Sequence, residues 1–212
     1  MTTAQKKAME VPRSHRGTPV WELARLYPSQ GEWLEEDYLA LHTNQLVEFS
    51  NGVLEFLEMP TFQHQLIVMY LHEMLQAHVR KYRLGIAMYS PLRIRVAPDK
   101  IREPDVAYFT AKKIPKNLVL PPQGADLVME VVSPSDESRK RDLIQKRRDY
   151  AKAGIAEYWI VDPETSTITV LALSETKYVQ VGKYKFGQKA ESRLLPGFEV
   201  EVTETLTRKP TV

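Results

Sequence analysis

The chain has 212 residues, no cysteine and a formal net charge of +2, with 43% hydrophobic and 26% charged residues. The absence of cysteine excludes disulfides, thiolate metal sites and a cysteine nucleophile, and the near-neutral charge excludes a global field that would attract nucleic acid. No segment approaches about 18 consecutive apolar residues and the start has no apolar signal-peptide core. We therefore expect a cytoplasmic protein without a membrane span.

The length predicts one domain with an N-terminal extension. Residues 1–30 are polar and contain three prolines, which predicts a weakly ordered arm before a single domain at 31–212. A short helix is predicted over 33–42. Two short apolar runs flank Asn51-Gly52 and predict a β-hairpin, because Asn-Gly accepts positive φ in a tight turn. Apolar residues at helical spacing predict a long amphipathic helix over 62–83.

The second half of the chain is dominated by short apolar runs bounded by turn residues, which are typical of strands. They lie at 86–89, 92–96, 106–109, 126–132, 158–161, 168–173, 178–181 and 198–202. Residues 111–125 are rich in Lys and Pro and predict a loop. A basic helix is predicted around 139–153, with a Ser or Asp of the preceding turn at 133–136 as its cap and Gly154 ending it. This order of elements fits a mixed α/β sheet with helices on both faces.

Glu130 stands in the middle of an otherwise apolar strand, where an ionised carboxylate is costly unless it is paired or binds a cation. Side-chain alternation places Glu130 on the same face as Val128 and Val132. Asp105 opens another apolar segment, which is predicted to pair with this strand. Two structural alternatives stay open: Asp105 as a turn acid, and Glu130 paired with an arginine such as Arg95.

Lys146 is the basic residue of the 139–153 helix most expected to face the sheet, because helical geometry places it in one sector with Leu143 and Tyr150. Tyr150 itself is expected in the core, and a lone helix lysine is usually solvated or snorkelling. Only the set of Asp105, Glu130 and Lys146 therefore supports a catalytic hypothesis.

That set predicts a divalent-metal site for phosphodiester hydrolysis. Magnesium prefers oxygen ligands and takes one or two carboxylates from the protein, for which Asp105 and Glu130 qualify. The carbonyl of Val131 is a further candidate ligand. A buried lysine beside the metal orients the attacking water or stabilises the charge that develops on the phosphate, and we assign that role to Lys146.

Five further residues are weaker candidates. Glu48 precedes the hairpin turn and is either an accessory acid or an exposed strand acid. His64 is either accessory or a structural histidine at a helix N-terminus. Arg139, Arg141 and Arg147 belong to a basic cluster that is usually a solvated face but that, beside the site, would contact phosphates.

Taken together, these residues resemble the PD-(D/E)xK, or restriction-endonuclease-like, nuclease superfamily, and within it the family called Uma-two. The resemblance spans about residues 33–203, and its matching segments are 103–106, 126–135, 146–150 and 154–162, with the hairpin containing Glu48 and with His64. The superfamily lysine belongs two residues after the glutamate, where this chain has Val132. The family resemblance implies that Lys146 replaces it from the helix.

The resemblance implies an α/β fold with a three-layer α/β/α core, a central mixed sheet, an N-terminal helix and a β-hairpin. It also implies a Mg²⁺ or Mn²⁺ cofactor, often a homodimer, and a role near the metal for Glu48. We therefore predict a metal-dependent endonuclease that hydrolyses DNA. The alternatives are a catalytically silent nucleic-acid-binding or regulatory protein on the same fold, and a protein-interaction component.

Overall fold

The computed structural model describes residues 24, 27–43 and 45–209 of the chain. Most of the predicted N-terminal arm lies outside these residues, so the arm stays a prediction. Within the described part, no helix is both long and apolar enough to cross a membrane. The helices are α1 (Glu35–Leu39), α2 (Phe62–Tyr82), α3 (Asp136–Lys140), a π-helical segment π1 (Arg141–Lys146), α4 (Arg147–Lys152) and α5 (Val202–Leu206).

The strands form a central sheet and two smaller ones. They are β1 (Val47–Ser50), β2 (Val53–Phe56), β3 (Gly85–Tyr89), β4 (Ile94–Ala97), β5 (Lys100–Arg102), β6 (Val106–Thr110), β7 (Leu127–Val131), β8 (Glu157–Asp162), β9 (Thr167–Ser174), β10 (Lys177–Lys185), β11 (Lys189–Glu191) and β12 (Glu199–Glu201). The central sheet has the order β10-β9-β8-β7-β6-β3, a second sheet has the order β2-β1-β5-β4, and β11 pairs with β12. Among the described strands of the central sheet, only the neighbours β7 and β8 run parallel, so the sheet is mixed.

The central sheet is covered on both faces, as the pattern of the sequence predicts. Leu127, Met129 and Val131 of β7 pack in one apolar cluster with the inner side of α2. Val128 and Val132 pack in a second cluster with Tyr150 of α4. Alternation along one strand thus sends successive side chains into opposite cores, and the predicted three-layer α/β/α architecture is confirmed.

Local sequence signals explain where several elements begin and end. The hairpin turn has positive φ at Asn51 (49°) and Gly52 (81°), as Asn-Gly favours. Helix α2 begins after Thr61, whose side chain accepts a hydrogen bond from the His64 amide. Helix α3 begins after Ser135, which caps the Ser138 amide in the same way. Gly154, with φ of 70°, follows α4.

The structure differs from the predicted elements in several places, including β5, the helical stretch after β7 and the end of the chain. Strand β5 was not predicted, because Lys100 and Arg102 are charged and only Ile101 between them is apolar. Helix α3 begins at Asp136 after the Ser135 cap, as the predicted capping signal indicates, but the predicted single helix is interrupted by the π-helical segment π1 before α4. Residues 202–206 form α5 rather than ending a strand, since the Glu201 side chain caps the Glu204 amide and starts a helical turn.

Candidate active site

A small polar pocket lies at the carboxyl end of β7, where the first turn of α2 and the segment π1 approach the sheet. Its volume is about 40 Å³, and its lining includes His64, Asp105, Glu130, Asp142 and Lys146. A cavity that holds a single water needs a volume of only about 10–15 Å³. The pocket therefore has room for a cation or a few waters, and any larger ligand would approach its mouth.

Glu130 and Lys146 form the buried centre of the pocket. Both residues are 2% exposed, and Lys146 Nζ donates to Glu130 Oε2 at 2.9 Å. The hydroxyl of Tyr150 donates to the other oxygen, Glu130 Oε1. Arg95, the structural alternative as a partner of Glu130, pairs with Glu35 instead. Glu130 is thus satisfied by one cation and one phenol, both supplied by the π1–α4 helical stretch.

Glu48 is completely buried and is part of the same cluster, so the interpretation as an exposed strand acid is wrong. Its Oε1 lies 3.3 Å from Lys146 Nζ and accepts a hydrogen bond from the Glu103 amide at 3.0 Å. Its Oε2 accepts from Arg102 Nη1 at 2.6 Å. Burial alone would raise the pKa of Glu48, but the charges of Lys146 and Arg102 outweigh it and lower that pKa. Glu48 is therefore ionised.

Arg102 connects Glu48 to a second set of charges. It is 3% exposed, and its Nη2 donates to Asp149 Oδ2 at 2.7 Å. Lys100, on the same strand, donates to Asp149 Oδ1 at 3.1 Å. Strand β5 is thus joined to α4 by a buried ion network. Each charge in it needs a partner, because leaving a buried charge unpaired is strongly destabilising. This network holds Glu48 against Lys146.

Asp105 is anchored to the backbone of β7 at the edge of the pocket. Its Oδ2 accepts a hydrogen bond from the Val131 amide at 2.7 Å and lies 3.4 Å from His64 Nε2. The same His64 nitrogen lies 3.1 Å from the Val131 carbonyl. Because both neighbours are acceptors, Nε2 carries the hydrogen. The pair formed by Asp105 and the Val131 carbonyl therefore occupies one wall of the pocket.

The surroundings of His64 favour its protonated form. Burial lowers its pKa, but the hydrogen bond to Asp105 and the charge of that carboxylate outweigh burial, so the pKa is raised. Its other nitrogen, Nδ1, is buried and has no hydrogen-bond partner among the described residues. A protonated His64 would thus present an unpaired donor in the pocket region.

The π-helical segment brings two further charged side chains to the pocket. A π-helix bonds residue i to i+5, and such segments are frequent at functional sites. Arg141 and Lys146, five residues apart, are both buried, as is Asp142. Asp142 Oδ1 lies 3.4 Å from Lys146 Nζ but makes no hydrogen bond among the described residues. Burial raises the pKa of Asp142, although Lys146 and Arg141 oppose this.

The pocket contains more carboxylates than cations. Lys146 has Glu130, Glu48 and Asp142 within 3.4 Å. Burial raises the pKa of Glu130 to about 8, which the charge of Lys146 opposes and the charge of Asp105 supports. Burial likewise disfavours the Lys146 ammonium, but the surrounding carboxylates outweigh it and raise the pKa of Lys146. The cluster therefore keeps Lys146 charged and Glu48 ionised, while burial favours a proton on Glu130 and Asp142.

The three arginines of the basic cluster occupy different environments. Arg139 forms a two-pronged ion pair with Asp162, at 2.7 and 3.1 Å. Arg141 is 6% exposed, lines the pocket, and donates to Ser138 Oγ at 2.9 Å. Arg147 is exposed, and its Nη2 lies 3.3 Å from the carbonyl oxygen of Tyr178. They do not form one continuous surface beside the pocket.

Sequence reasoning missed four contributors to the site, namely Arg102, Glu103, Asp142 and the hydroxyl of Tyr150. Asp142 had a usable signal, since it stands four residues before Lys146, the spacing of a helical ion pair. Arg102 and Glu103 directly precede the Pro-Asp dipeptide, but nothing local predicts that they are buried. Burial raises the pKa of Glu103 to about 7, with Arg93 opposing it, and Glu103 Oε2 has no hydrogen-bond partner among the described residues.

Comparisons with known proteins agree with this fold. A crystal structure of a "putative nuclease belonging to DUF820" from Anabaena variabilis matches with a TM-score of 0.65 and 17% identity, covering 81% of this chain and 96% of that one. At this identity the likeness shows the fold alone. No curated protein matches the chain. A family model described as "Putative restriction endonuclease" and named Uma2 matches residues 35–203. Because that match covers well over half of the chain, the protein belongs to the Uma2 family.

Proposed function

We propose that this protein is a metal-dependent endonuclease that hydrolyses phosphodiester bonds of DNA. The family description supports a nuclease, and one observation supports the chemistry. The Lys146 ammonium, 2.9 Å from Glu130 Oε2, reaches from the π1 segment into a pocket that Asp105 also lines. A lysine from the helix thus stands beside the two acids although the position two residues after Glu130 is Val132.

The donors in the pocket fit Mg²⁺ or Mn²⁺. Asp105, Glu130 and the Val131 carbonyl line one cavity and are oxygen donors of the kind that hard divalent cations take. The excess of carboxylates over cations around Lys146, with Asp142 Oδ1 lacking a hydrogen-bond partner among the described residues, also favours an added positive charge. When bound, such an ion polarises the phosphate and lowers the pKa of a water. We assign Asp105, Glu130 and the Val131 carbonyl as its ligands.

Lys146 acts as a donor in this proposal. Its pKa is raised by the surrounding carboxylates, so at neutral pH it is an ammonium and cannot accept a proton from water. An ammonium orients an attacking water through its lone pair or stabilises negative charge that develops on the phosphate. Glu48, itself held by Arg102 at 2.6 Å, helps to fix the position of that ammonium from a distance of 3.3 Å. His64 holds the Asp105 carboxylate and the Val131 carbonyl in place.

The test is cleavage of supercoiled and linear DNA with Mg²⁺ or Mn²⁺ by the wild type and by Glu130→Gln. We expect the variant to lose cleavage, because its amide is a neutral and weaker ligand. Glu137→Gln is the matched control, since Glu137 is an exposed acid of α3. Circular dichroism establishes that both variants fold. Retained cleavage by folded Glu130→Gln would refute the assignment.

A catalytically silent nucleic-acid-binding or regulatory protein is the second candidate. Within residues 24, 27–43 and 45–209, no three acidic or histidine side chains are grouped as a preformed metal site. Lys146 instead bridges the carboxylates directly. DNA retention in a gel shift without metal, together with no cleavage in Mg²⁺ or Mn²⁺, would favour this candidate. A cytoplasmic location and a homodimer also stay predictions, and sedimentation analysis would test the dimer.

A further inference from the structure

A second, much larger cavity lies next to the candidate active site. It is a groove of about 860 Å³, lined mainly by apolar side chains of β3, of the segment after it and of the 111–125 loop. Several of these side chains are strongly exposed: Leu118 is 80% exposed, Val119 is 90% exposed and Leu120 is 51% exposed. A contiguous exposed apolar surface of this kind marks a binding site more often than a surface without function.

The groove shares a wall with the pocket of the candidate active site, which we call the acidic pocket. Leu46 and Glu103 line both cavities. Arg93 stands at the same end of the groove, where its guanidinium lies 4.5 Å over the ring of Tyr38 and its Nε donates to Glu103 Oε1 at 3.4 Å. A ligand that fills the groove therefore extends to the mouth of the pocket. This continuity separates the groove from an unrelated apolar patch elsewhere on the surface.

The loop that forms the outer wall of the groove is basic. Residues 111–125 contain Lys112, Lys113 and Lys116 and no acidic residue. Among the described residues, no carboxylate lies within ion-pair distance of these three lysines. The chain as a whole has a net charge of only +2, so this local charge is not a reflection of a generally basic protein. The groove thus combines apolar walls with a wall-forming loop that carries three lysines, a charge suited to a polyanion.

We propose that the groove binds unpaired nucleobases of a single-stranded nucleic-acid segment, placing an adjacent phosphate at the acidic pocket. The three loop lysines contact the backbone of that segment. A duplex keeps its bases stacked inside and offers an apolar groove little to bind, whereas an unpaired base has an apolar face that every sequence shares. This inference rests on the proposed nuclease function and adds the substrate class, namely single-stranded or locally unpaired strands.

The experiment is fluorescence anisotropy with the full chain in EDTA, so that binding is measured without cleavage. The probes are a labelled single-stranded DNA of about 15 nucleotides, close to the upper site size of single-strand binding folds, the RNA of the same sequence, and the DNA duplex. We expect at least one single strand to bind about fivefold or more tightly than the duplex, because burying about 40 Å² of apolar base surface against the aliphatic side chains of the groove is worth about that factor.

Two variants test the two properties of the groove. In Lys112→Ala/Lys113→Ala/Lys116→Ala, the slope of log affinity against log salt should become shallower by about 2, since each single-strand phosphate contact contributes about 0.7. Leu118→Ser/Val119→Ser should weaken single-strand binding about fivefold or more, because two apolar side chains that would bury a base face are removed. Both positions are highly exposed, so these changes leave the core intact.

The controls lie on β10, at the opposite edge of the central sheet from β3. Lys177→Ala/Lys183→Ala/Lys185→Ala removes the same charge from exposed positions, and Val179→Ser removes an exposed apolar side chain. The proposal fails if the duplex binds as tightly as both single strands, or if the loop variants behave like these controls.

A second copy of the chain is the competing occupant of the groove. Sedimentation of a wild-type dimer that Leu118→Ser/Val119→Ser dissociates, with single-strand binding unchanged, would overturn the proposal in favour of a subunit interface. The nuclease proposal fails separately. Single-strand binding in EDTA without cleavage in Mg²⁺ or Mn²⁺ would refute the catalytic function, while cleavage that is indifferent to the loop variants would refute only the groove.

Discussion

Replacing Lys146 with methionine should destabilise the protein in a strongly pH-dependent way. Methionine fills a similar volume without charge, so packing is largely kept while the cation is lost. Lys146 is 2% exposed, and its Nζ is within 3.4 Å of Glu130, Glu48 and Asp142. Removing one partner of a buried ion pair costs about 3–5 kcal/mol, because a charge is left uncompensated.

The pH dependence follows from the acids that remain. Burial raises the pKa of Glu48, and the charge of Lys146 is the largest influence that lowers it. Without Lys146 we expect burial to prevail over Arg102 and the Glu103 amide, so that this pKa lies above its value in the unfolded chain. Protonating an ordinary glutamate, with a pKa of about 4.3, costs about 5 kcal/mol at pH 8 and about 1 kcal/mol at pH 5. A raised folded-state pKa favours folding at low pH and loses that benefit as pH rises. The loss of stability should therefore grow by up to about 4 kcal/mol from pH 5 to pH 8.

Urea unfolding at both pH values, in EDTA, measures this difference. Lys152→Met is the matched control, because Lys152 is an exposed lysine at the end of α4, and we expect it to change stability by less than about 0.5 kcal/mol. Lys146→Arg keeps the charge and should show a weaker pH dependence than Lys146→Met. If Lys146→Met lost the same free energy of unfolding at pH 5 and pH 8, the cluster would not take up a proton and the reasoning would be wrong.

Three further predictions concern the neighbours of this cluster. Tyr150→Phe removes the hydroxyl that donates to Glu130 and should cost about 1–3 kcal/mol in urea unfolding; wild-type stability would contradict the hydrogen bond. Mn²⁺ binding at pH 7 should release about one proton, since the pKa of Glu130 is about 8, and Asp105→Ala should abolish the binding. Calorimetry in two buffers of different ionisation enthalpy measures the number of protons released. A binding heat that is the same in both buffers would contradict the prediction. Asp162→Asn should lower stability by about 1–3 kcal/mol at neutral pH, because Arg139 and Thr165 hold the pKa of Asp162 below its ordinary value despite its burial. The difference in stability between wild type and Asp162→Asn is fully present above the ordinary aspartate pKa of about 3.9, and it should vanish as pH falls through the lowered pKa of Asp162. A stability difference that stays constant down to acid pH would contradict the ion pair with Arg139.

The central elements of the fold were predictable from the sequence because their signals are local. The β7 run is apolar on both faces apart from Glu130, and its short length between turn residues indicates a covered strand. The Asn-Gly turn and the helical spacing over 62–83 each indicate one geometry. The same local rules placed Glu130 on the side of Val128 and directed Lys146 towards the sheet. The contact between them, at 2.9 Å, follows from these two faces meeting.

Other parts of the site depend on contacts between residues distant in the chain. Arg102 lies in a charged three-residue strand that no hydrophobic pattern reveals, and only its approach to Glu48 and Asp149 makes that strand part of the core. The π-helical segment that buries Arg141 together with Lys146 has no signature in the amino-acid composition. The same residues could form α-helical hydrogen bonds instead, and the two patterns are nearly equivalent for the backbone.

The sequence by itself determined the order of the main elements, the mixed sheet covered on both faces, and the identity of one buried acid with a lysine directed towards it. Only the tertiary structure decided the charge balance of the pocket and its continuity with the apolar groove. Periodicity reports which face of an element avoids water. A pKa and a shared cavity wall depend on distances between elements far apart in the chain, such as Glu48 and Lys146, and the folded chain alone sets those distances.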